Sequence, residues 1–405
     1  MTTAATEQIV PGAVQWAPFG QHTRYMLAQY LAHVLLVASV LLAIALTIDL
    51  WPQFEIVMNR QGGAGPLAAI WNVVEFSALR MPWLIAPFLS FATFLGVLWT
   101  EVIHTRSGER MLIWNSGRSP LQCLAPVLLL GLILGSTEFV LDAYLGPASM
   151  AVQMKERWGL DGQRLDRTRW SVPSWIALPD GLLRAEIEFG PPSVLHNVAY
   201  FRRDAHGSLL EAETASVARR RPGTNLWVLQ NGHTWNSGQR PSGEQPALAI
   251  ASSNEQMLPF ATRTVRLDID PLWLTIYGLE AQYISLGTLQ ALVHSDRDLE
   301  SVRRYRARLN VLYGETILPG TMGLLAASLS MVFLAYGVTM RSLVGIGFTG
   351  YMAHFATKAC LLMGQTGYMR PRVAGWSVPI ILLVATAAVL AIAQRRRRRE
   401  KISGA

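Results

Sequence analysis

Arg184-Ala185-Glu186-Ile187-Glu188-Phe189-Gly190-Pro191-Pro192-Ser193-Val194-Leu195-His196-Asn197-Val198-Ala199-Tyr200-Phe201 is the stretch on which the fold of this chain turns. Apolar and polar residues alternate on both sides of a Gly-Pro-Pro break, the signature of two half-buried strands joined by a turn. Further turn markers stand at Pro179-Asp180-Gly181, Asp204-Ala205-His206-Gly207, Pro222-Gly223 and Asn231-Gly232. Their spacing suits an all-β sandwich or jelly roll. Helical periodicity is poor from 147 to 270, so this polar insert of roughly 120 residues reads as a β domain outside the bilayer. Everything before and after it reads as lipid-facing helix.

The 405 residues are 51% hydrophobic and only 15% charged, where globular chains carry about 25% charged residues. That balance points to a membrane protein. The net charge of +8 does not argue for nucleic acid, because the basic residues gather beside apolar spans and at the C-terminus, where they suit lipid headgroups. Cys123 and Cys360 both lie in apolar spans and make no disulfide framework. The first 24 residues lack the apolar core and cleavage site of a secretory signal, so the first span is expected to stay as an anchor.

A helix needs about 20 mainly apolar residues to cross a bilayer, and six segments qualify: 25–50, 68–99, 120–145, 311–338, 343–364 and 376–393. Pro82 and Pro87 imply a kink in the second. Residues 272–308 read as an amphipathic helix on the membrane surface. Orientation follows from Lys and Arg near the spans. Arg24, Arg106, Arg110, Arg118, Arg341, Arg395 to Arg399 and Lys401 mark one side as cytoplasmic, with Arg60, Arg370 and Arg372 opposite. The β domain is then extracytoplasmic, and Arg303, Arg304, Arg306 and Arg308 fall on its side against the charge rule.

The polar connection after the second span carries the chemistry easiest to read. A short helix from about Gly108 to Trp114 would present Met111, Leu112 and Trp114 on an apolar side, with Glu109 and Arg110 toward water or a partner. Ser116-Gly117 would end it, glycine taking the left-handed conformation common there. An aromatic and a methionine around a fixed carboxylate suit a docked protein; the alternative is an interfacial loop dipping into headgroups. No Gly-x-x-x-x-Gly-Lys-Ser/Thr loop occurs, so ATP hydrolysis is not expected of this chain. The eight histidines form no His-x-x-x-His pair with a third ligand, and no Gly-x-Ser-x-Gly elbow occurs, so neither metal hydrolysis nor a serine nucleophile is expected. Of the ionisable residues in or near spans, Glu75, Glu138 and Asp142 read as solvated end residues. His354 and Lys358 share a helical face turned into the bundle, with snorkelling as the alternative for Lys358. No carboxylate chain at the membrane midplane is evident.

Three strings carry a resemblance. Glu109 is followed seven residues later by Ser116-Gly117. Leu195-His196-Asn197-Val198-Ala199-Tyr200-Phe201 precedes Ala212, Ala218 and Leu226-Trp227-Val228-Leu229. Arg370-Pro371-Arg372-Val373-Ala374-Gly375-Trp376 resembles a Pro-x-x-Ala-x-Trp opening of a last span. In this order and topology the chain resembles the LptF/LptG family of permease subunits that extract lipopolysaccharide from the inner membrane of Gram-negative bacteria. It departs where Gly108 separates Ser107 from Glu109, and where Asp49 stands near the outer end of the first span instead of Lys. Arg24-Tyr25 and Ile48-Asp49 lean toward the LptG side.

The resemblance implies an α-helical membrane protein of six transmembrane helices, three before and three after an inserted β-jellyroll domain. Its parts would be a tail (1–24), helices 1–3 with a coupling helix near 107–117 (25–146), a periplasmic domain (147–270), an amphipathic connection (271–310), helices 4–6 (311–394) and a basic tail (395–405). It implies an ABC exporter permease with no cofactor of its own, ATP being used by an LptB-type ATPase dimer seated on Glu109, Arg110, Met111, Trp114, Ser116 and Gly117. Further partners would be a homologous LptF/LptG subunit, LptC and LptA-type jellyroll proteins, and lipopolysaccharide. Arg60, Arg80, Arg303, Arg304, Arg306, Arg308, Arg370 and Arg372 are candidates for its phosphates, since guanidinium binds phosphate bidentately; a solvated surface is the alternative for most. Two other classes stay open: a lipid-modifying enzyme, which needs His33, His354 and Lys358 to converge, and a scaffold of an envelope assembly.

Overall fold

The long apolar runs become long helices in the computed structural model, which describes residues 20–60, 65–115, 120–166, 170–190, 192–236, 257–294, 300–335 and 337–403. Helix α1 (Gln21–Leu50) continues through a 3-10 turn into α2 (Phe54–Met58). Helix α3 (Pro66–Arg106) runs through Pro82 and Pro87 as one element, and α4 (Glu109–Asn115) follows it. Helix α5 (Pro120–Val140) passes through a π-helical turn (Leu141–Leu145) into α6 (Gly146–Lys155), and α7 (Gly159–Arg164) precedes the sheet. After the sheet come α8 (Pro271–Thr275), α9 (Leu286–His294), α10 (Glu300–Glu315), α11 (Leu318–Phe333), α12 (Met340–Thr366) and α13 (Pro371–Ser403). The amphipathic helix expected over 271–310 is therefore broken into pieces.

Among the described residues, four stretches are long and apolar enough to cross a membrane: Gln21–Met58, Pro66–Arg106, Gln122–Lys155 and Pro371–Arg395. The pair Val302–Glu315 and Leu318–Phe333, bent by 46°, makes a fifth if it is one span. Helix α12, with 27 residues, is about 40 Å long at 1.5 Å per residue. It has the length of a sixth span, but Arg341, His354, Lys358 and its glycines dilute its apolar content.

The chain divides into two compact units, residues 1–49, 81–145 and 306–405 in one, and 50–80 with 146–305 in the other. In the first, Tyr30 and Val34 of α1, Phe94 and Val97 of α3, Leu130 of α5 and Met322 of α11 form a continuous core. Between lipid-facing helices, close packing rather than water exclusion holds the contact, and small residues permit it. A Cβ on Gly131 of α5 would lie 2.3 Å from Cα of Gly320 in α11, and one on Gly314 of α10 would lie 2.1 Å from the carbonyl oxygen of Gly375 in α13. Those backbones touch directly.

The second unit holds the sheet: β1 (Ser174–Leu178), β2 (Gly181–Glu188), β3 (Val194–Arg203), β4 (Leu209–Arg220), β5 (Leu226–Asn236) and β6 (Leu258–Arg266), antiparallel and paired in sequence order. Among the described residues this is one up-and-down meander, without the crossovers of a jelly roll. It begins at Ser174, later than position 147, because 146–164 is largely helical. Alternation decides the buried face: Leu183, Ile187, Leu195, Tyr200, Trp227 and Leu229 point inward, and Leu267, Ile269 and Leu274 close over them. Each such apolar side chain contributes about 1.5–3 kcal/mol. Asn231-Gly232 is not the turn its composition suggested. It lies inside β5 with Asn231 at φ +52°, because Gly232 meets the Thr214 carbonyl oxygen, 1.8 Å from where a Cβ would sit.

Candidate functional site

Helix α3 ends at Arg106, and Gly108 takes φ +77° to turn the chain into α4. No neighbour lies near its absent Cβ, so the backbone conformation alone asks for glycine. Helix α4 is then seated by charge. Arg110 is 5% exposed; its Nη2 lies 3.0 Å from Glu101 Oε2 of α3, and its Nη1 donates to Thr105 Oγ1 at 2.9 Å. The Tyr30 hydroxyl of α1 donates to the other Glu101 oxygen at 2.5 Å. One carboxylate thus ties together α1, α3 and α4.

Glu109 lies on the flank of the same helix with its side chain 43% exposed, 3.4 Å from His104 Nε2 and accepting from the Tyr25 hydroxyl at 3.4 Å. Leu112, about 200° around the helix from Arg110, is 71% exposed, and Met111 is 61% exposed. The expectation that Glu109 and Arg110 both face outward is corrected. Arg110 turns into the bundle because Glu101 offers a buried counter-charge there. Trp114 lies in α4, while Ser116 and Gly117 lie outside the described residues. Glu101, Tyr30 and Thr105 were missed by sequence reasoning, although a carboxylate at a span end, nine residues before an arginine across a glycine turn, was a usable signal.

A second polar cluster lies in the same unit. Arg308 Nη2 of α10 donates to Asp142 Oδ1 in the π-helical turn at 2.7 Å, and its Nη1 is 3.7 Å from Glu315 Oε2. Lys358 Nζ of α12 is 3.2 Å from the other Glu315 oxygen. Nearby, buried Glu138 of α5 accepts from Ser90 Oγ of α3 at 2.7 Å. Glu138 and Asp142 are therefore not solvated end residues, and Lys358 is committed to a carboxylate rather than snorkelling. Glu138 and Asp142, four apart, share one helical face, so their meeting was legible as a pair but not their partners.

A model of the family described as lipopolysaccharide export system permease LptF/LptG matches residues 24–392. The chain belongs to the LptF/LptG family. No curated protein matched the chain. As an LptF/LptG member it is an inner-membrane permease subunit of the lipopolysaccharide export system, a transport component and not an enzyme. The matched range takes in α4, its seat and the cluster around Arg308.

In this LptF/LptG chain the eight arginines proposed for lipid phosphate separate into two sets. Arg308 is spent on Asp142 and Glu315. Arg80, its side chain 4% exposed, pairs with Asp161 at 3.1 Å. Arg60 pairs with Glu156 at 3.1 Å and lies 3.9 Å over the Trp158 ring. Releasing a buried arginine from its carboxylate is costly, so Arg80 and Arg308 are structural in this conformation, while Arg60 is only half-buried and its Glu156 partner is 45% exposed. Arg303, Arg304, Arg306, Arg370 and Arg372 are exposed. The residues required by an enzyme take separate partners: His33 meets Thr100 and Trp99, His354 lies against Phe88 and Phe91, and Lys358 meets Glu315.

Proposed function

We propose that α4 is the element through which a separate ATPase dimer drives this permease. The chain would pair with a homologous permease around a cavity that takes lipopolysaccharide from the outer leaflet of the inner membrane. Its β domain would stand in the periplasm and hand the lipid to jellyroll proteins of the bridge. The observation that carries this reading is the division of α4: Arg110 is locked into the bundle, while Glu109, Met111 and Leu112 remain at the surface. A docked protein grips the exposed edge, and the Arg110–Glu101–Tyr30 link passes its displacement to α3 and α1. Exposed Arg303, Arg304, Arg306, Arg370 and Arg372 supply fork-shaped donors for the lipid phosphates.

The test is gentle solubilisation, affinity capture and mass spectrometry of what accompanies wild type and Glu109→Lys. The expected result is a soluble ATPase and a similar permease with wild type, with the ATPase lost and the permease kept in Glu109→Lys. An unchanged set of partners would remove Glu109 from the docking edge. Capture of the chain alone in both cases would overturn the coupling reading.

A further inference from the structure

The buried charges where α3, α5, α10 and α12 meet do not balance. Asp142, Glu315 and Glu138 bring three carboxylates, while Arg308 and Lys358 bring two cations. Arg308 takes Asp142 and reaches one oxygen of Glu315, and Lys358 takes the other. Glu138 makes no ion pair among the described residues. Its partner is the Ser90 hydroxyl, which donates to it at 2.7 Å, and the two residues are 3% and 1% exposed. Glu315, Lys358 and Asp142 are all near enough to act on its charge.

The helices packed around Glu138 bring it no further counter-charge. Helix α11 has no titratable residue from Leu318 to Phe333, and α3 has none from Met81 to Thr100. Helix α12 adds only His354, one turn before Lys358 with its ring against Phe88 and Phe91. The phenols of Tyr144 and Tyr313 belong to rings that flank Phe139. No three ligands converge for a metal ion among the described residues. A carboxylate removed from water without a cation is costly, and the cheapest remedy is a proton.

We infer that Glu138 is a proton-binding site inside the membrane-spanning bundle, held as a neutral carboxylic acid while this cluster is closed. The cluster is then balanced, with two carboxylates for two cations. Two of its members stand at irregular points: Asp142 in the π-helical turn, and Glu315 at the end of α10 before the 46° bend into α11. Such breaks are where helices rearrange. When a rearrangement admits water, the O–H bond of Glu138 breaks, its electron pair stays on the carboxylate and water takes the proton. Lys358, its side chain 37% exposed, marks the open edge of the cluster. The site needs no nucleotide and no partner chain.

Infrared spectroscopy of the full chain in a maltoside detergent, which has no ester carbonyl, provides the test through the C=O stretch of protonated carboxylic acids. Wild type at neutral pH should show this band, far above the pH of about 4.3 at which an exposed glutamate ionises. Glu138→Gln should remove it, and Glu213→Gln, at the buried acid of the sheet, should leave the Glu138 component in place. Charge counting sets the two sharper outcomes. Lys358→Met should raise the band about twofold, because a second acid must then be neutralised. Asp142→Asn should abolish it with Glu138 intact, because two carboxylates then meet two cations. Ser90→Ala should move the band to higher frequency without loss, which keeps the test decisive if Glu138→Gln does not fold. A band unmoved by Ser90→Ala and indifferent to Lys358→Met and Asp142→Asn would show that Glu138 is ionised and overturn the site. Loss of the band on adding sodium at fixed pH would assign the site to a metal cation and overturn it equally. In D2O the Glu138 band should shift more slowly than those of exposed acids; an immediate shift would show the cluster open to water and overturn its closed state.

Discussion

Glu101 shows how much one buried carboxylate can organise. Its two oxygens meet Arg110 and Tyr30, and both ionic side chains are almost wholly buried, at 6% and 8% exposure. Removing one partner leaves the other charge stranded, which costs about 3–5 kcal/mol for a buried pair. Arg110→Ala should therefore lower the thermal stability of the solubilised chain by an amount of that order. Arg303→Ala, at an exposed position, should stay within about 0.5 kcal/mol; similar effects of the two would show that the seat of α4 contributes nothing. Sequence made Glu109 and Arg110 visible as a charged pair on a short helix. It turned both of them toward water or a partner, because the inward turn of Arg110 depends on Glu101 and Tyr30 on other elements.

At the scale of the elements, the sheet carries a buried acid of its own. Glu213 of β4 is 1% exposed and pairs with Arg263 of β6. Burial raises its pKa, Arg263 lowers it and neighbouring Glu211 raises it, and the net shift is upward. The folded state thus holds a proton more tightly than the unfolded chain, so this group's contribution to stability falls as pH rises from about 4.3, the ordinary glutamate value, through the raised one. Glu213→Gln should flatten the loss of thermal stability between about pH 4.5 and pH 7 relative to wild type. An identical slope in both proteins would show that Glu213 does not titrate over that range. The strands themselves were legible because alternation is a local property: 184–188 and 194–201 fall in β2 and β3. Asn231-Gly232 misled because the same dipeptide serves a turn or an irregularity inside a strand, and only the approach of Thr214 separates the two.

For the whole molecule, the proposed orientation can be read directly. With Cys123 and Cys360, neither in a disulfide and both partly buried, replaced by Ala, Arg370→Cys should react with a membrane-impermeant maleimide in intact cells with opened outer membranes. Arg341→Cys should react only after the inner membrane is permeabilised. The reverse pattern would invert the chain and place the β domain in the cytoplasm.

The amino-acid sequence by itself determined the division into apolar spans and a polar strand-rich insert, the family, and the short charged helix after the second span. Each rests on composition, periodicity or a motif confined to neighbouring residues. Only the tertiary structure decided that Arg110 faces inward, that Arg80 and Arg308 are held by carboxylates, that Glu138 and Asp142 are drawn into the bundle, and that Lys358 meets Glu315 there. The physical reason is that the partner of a buried charge is set by which helices become neighbours, and residues such as Asp142 and Arg308, 166 positions apart, leave no local trace of their pairing.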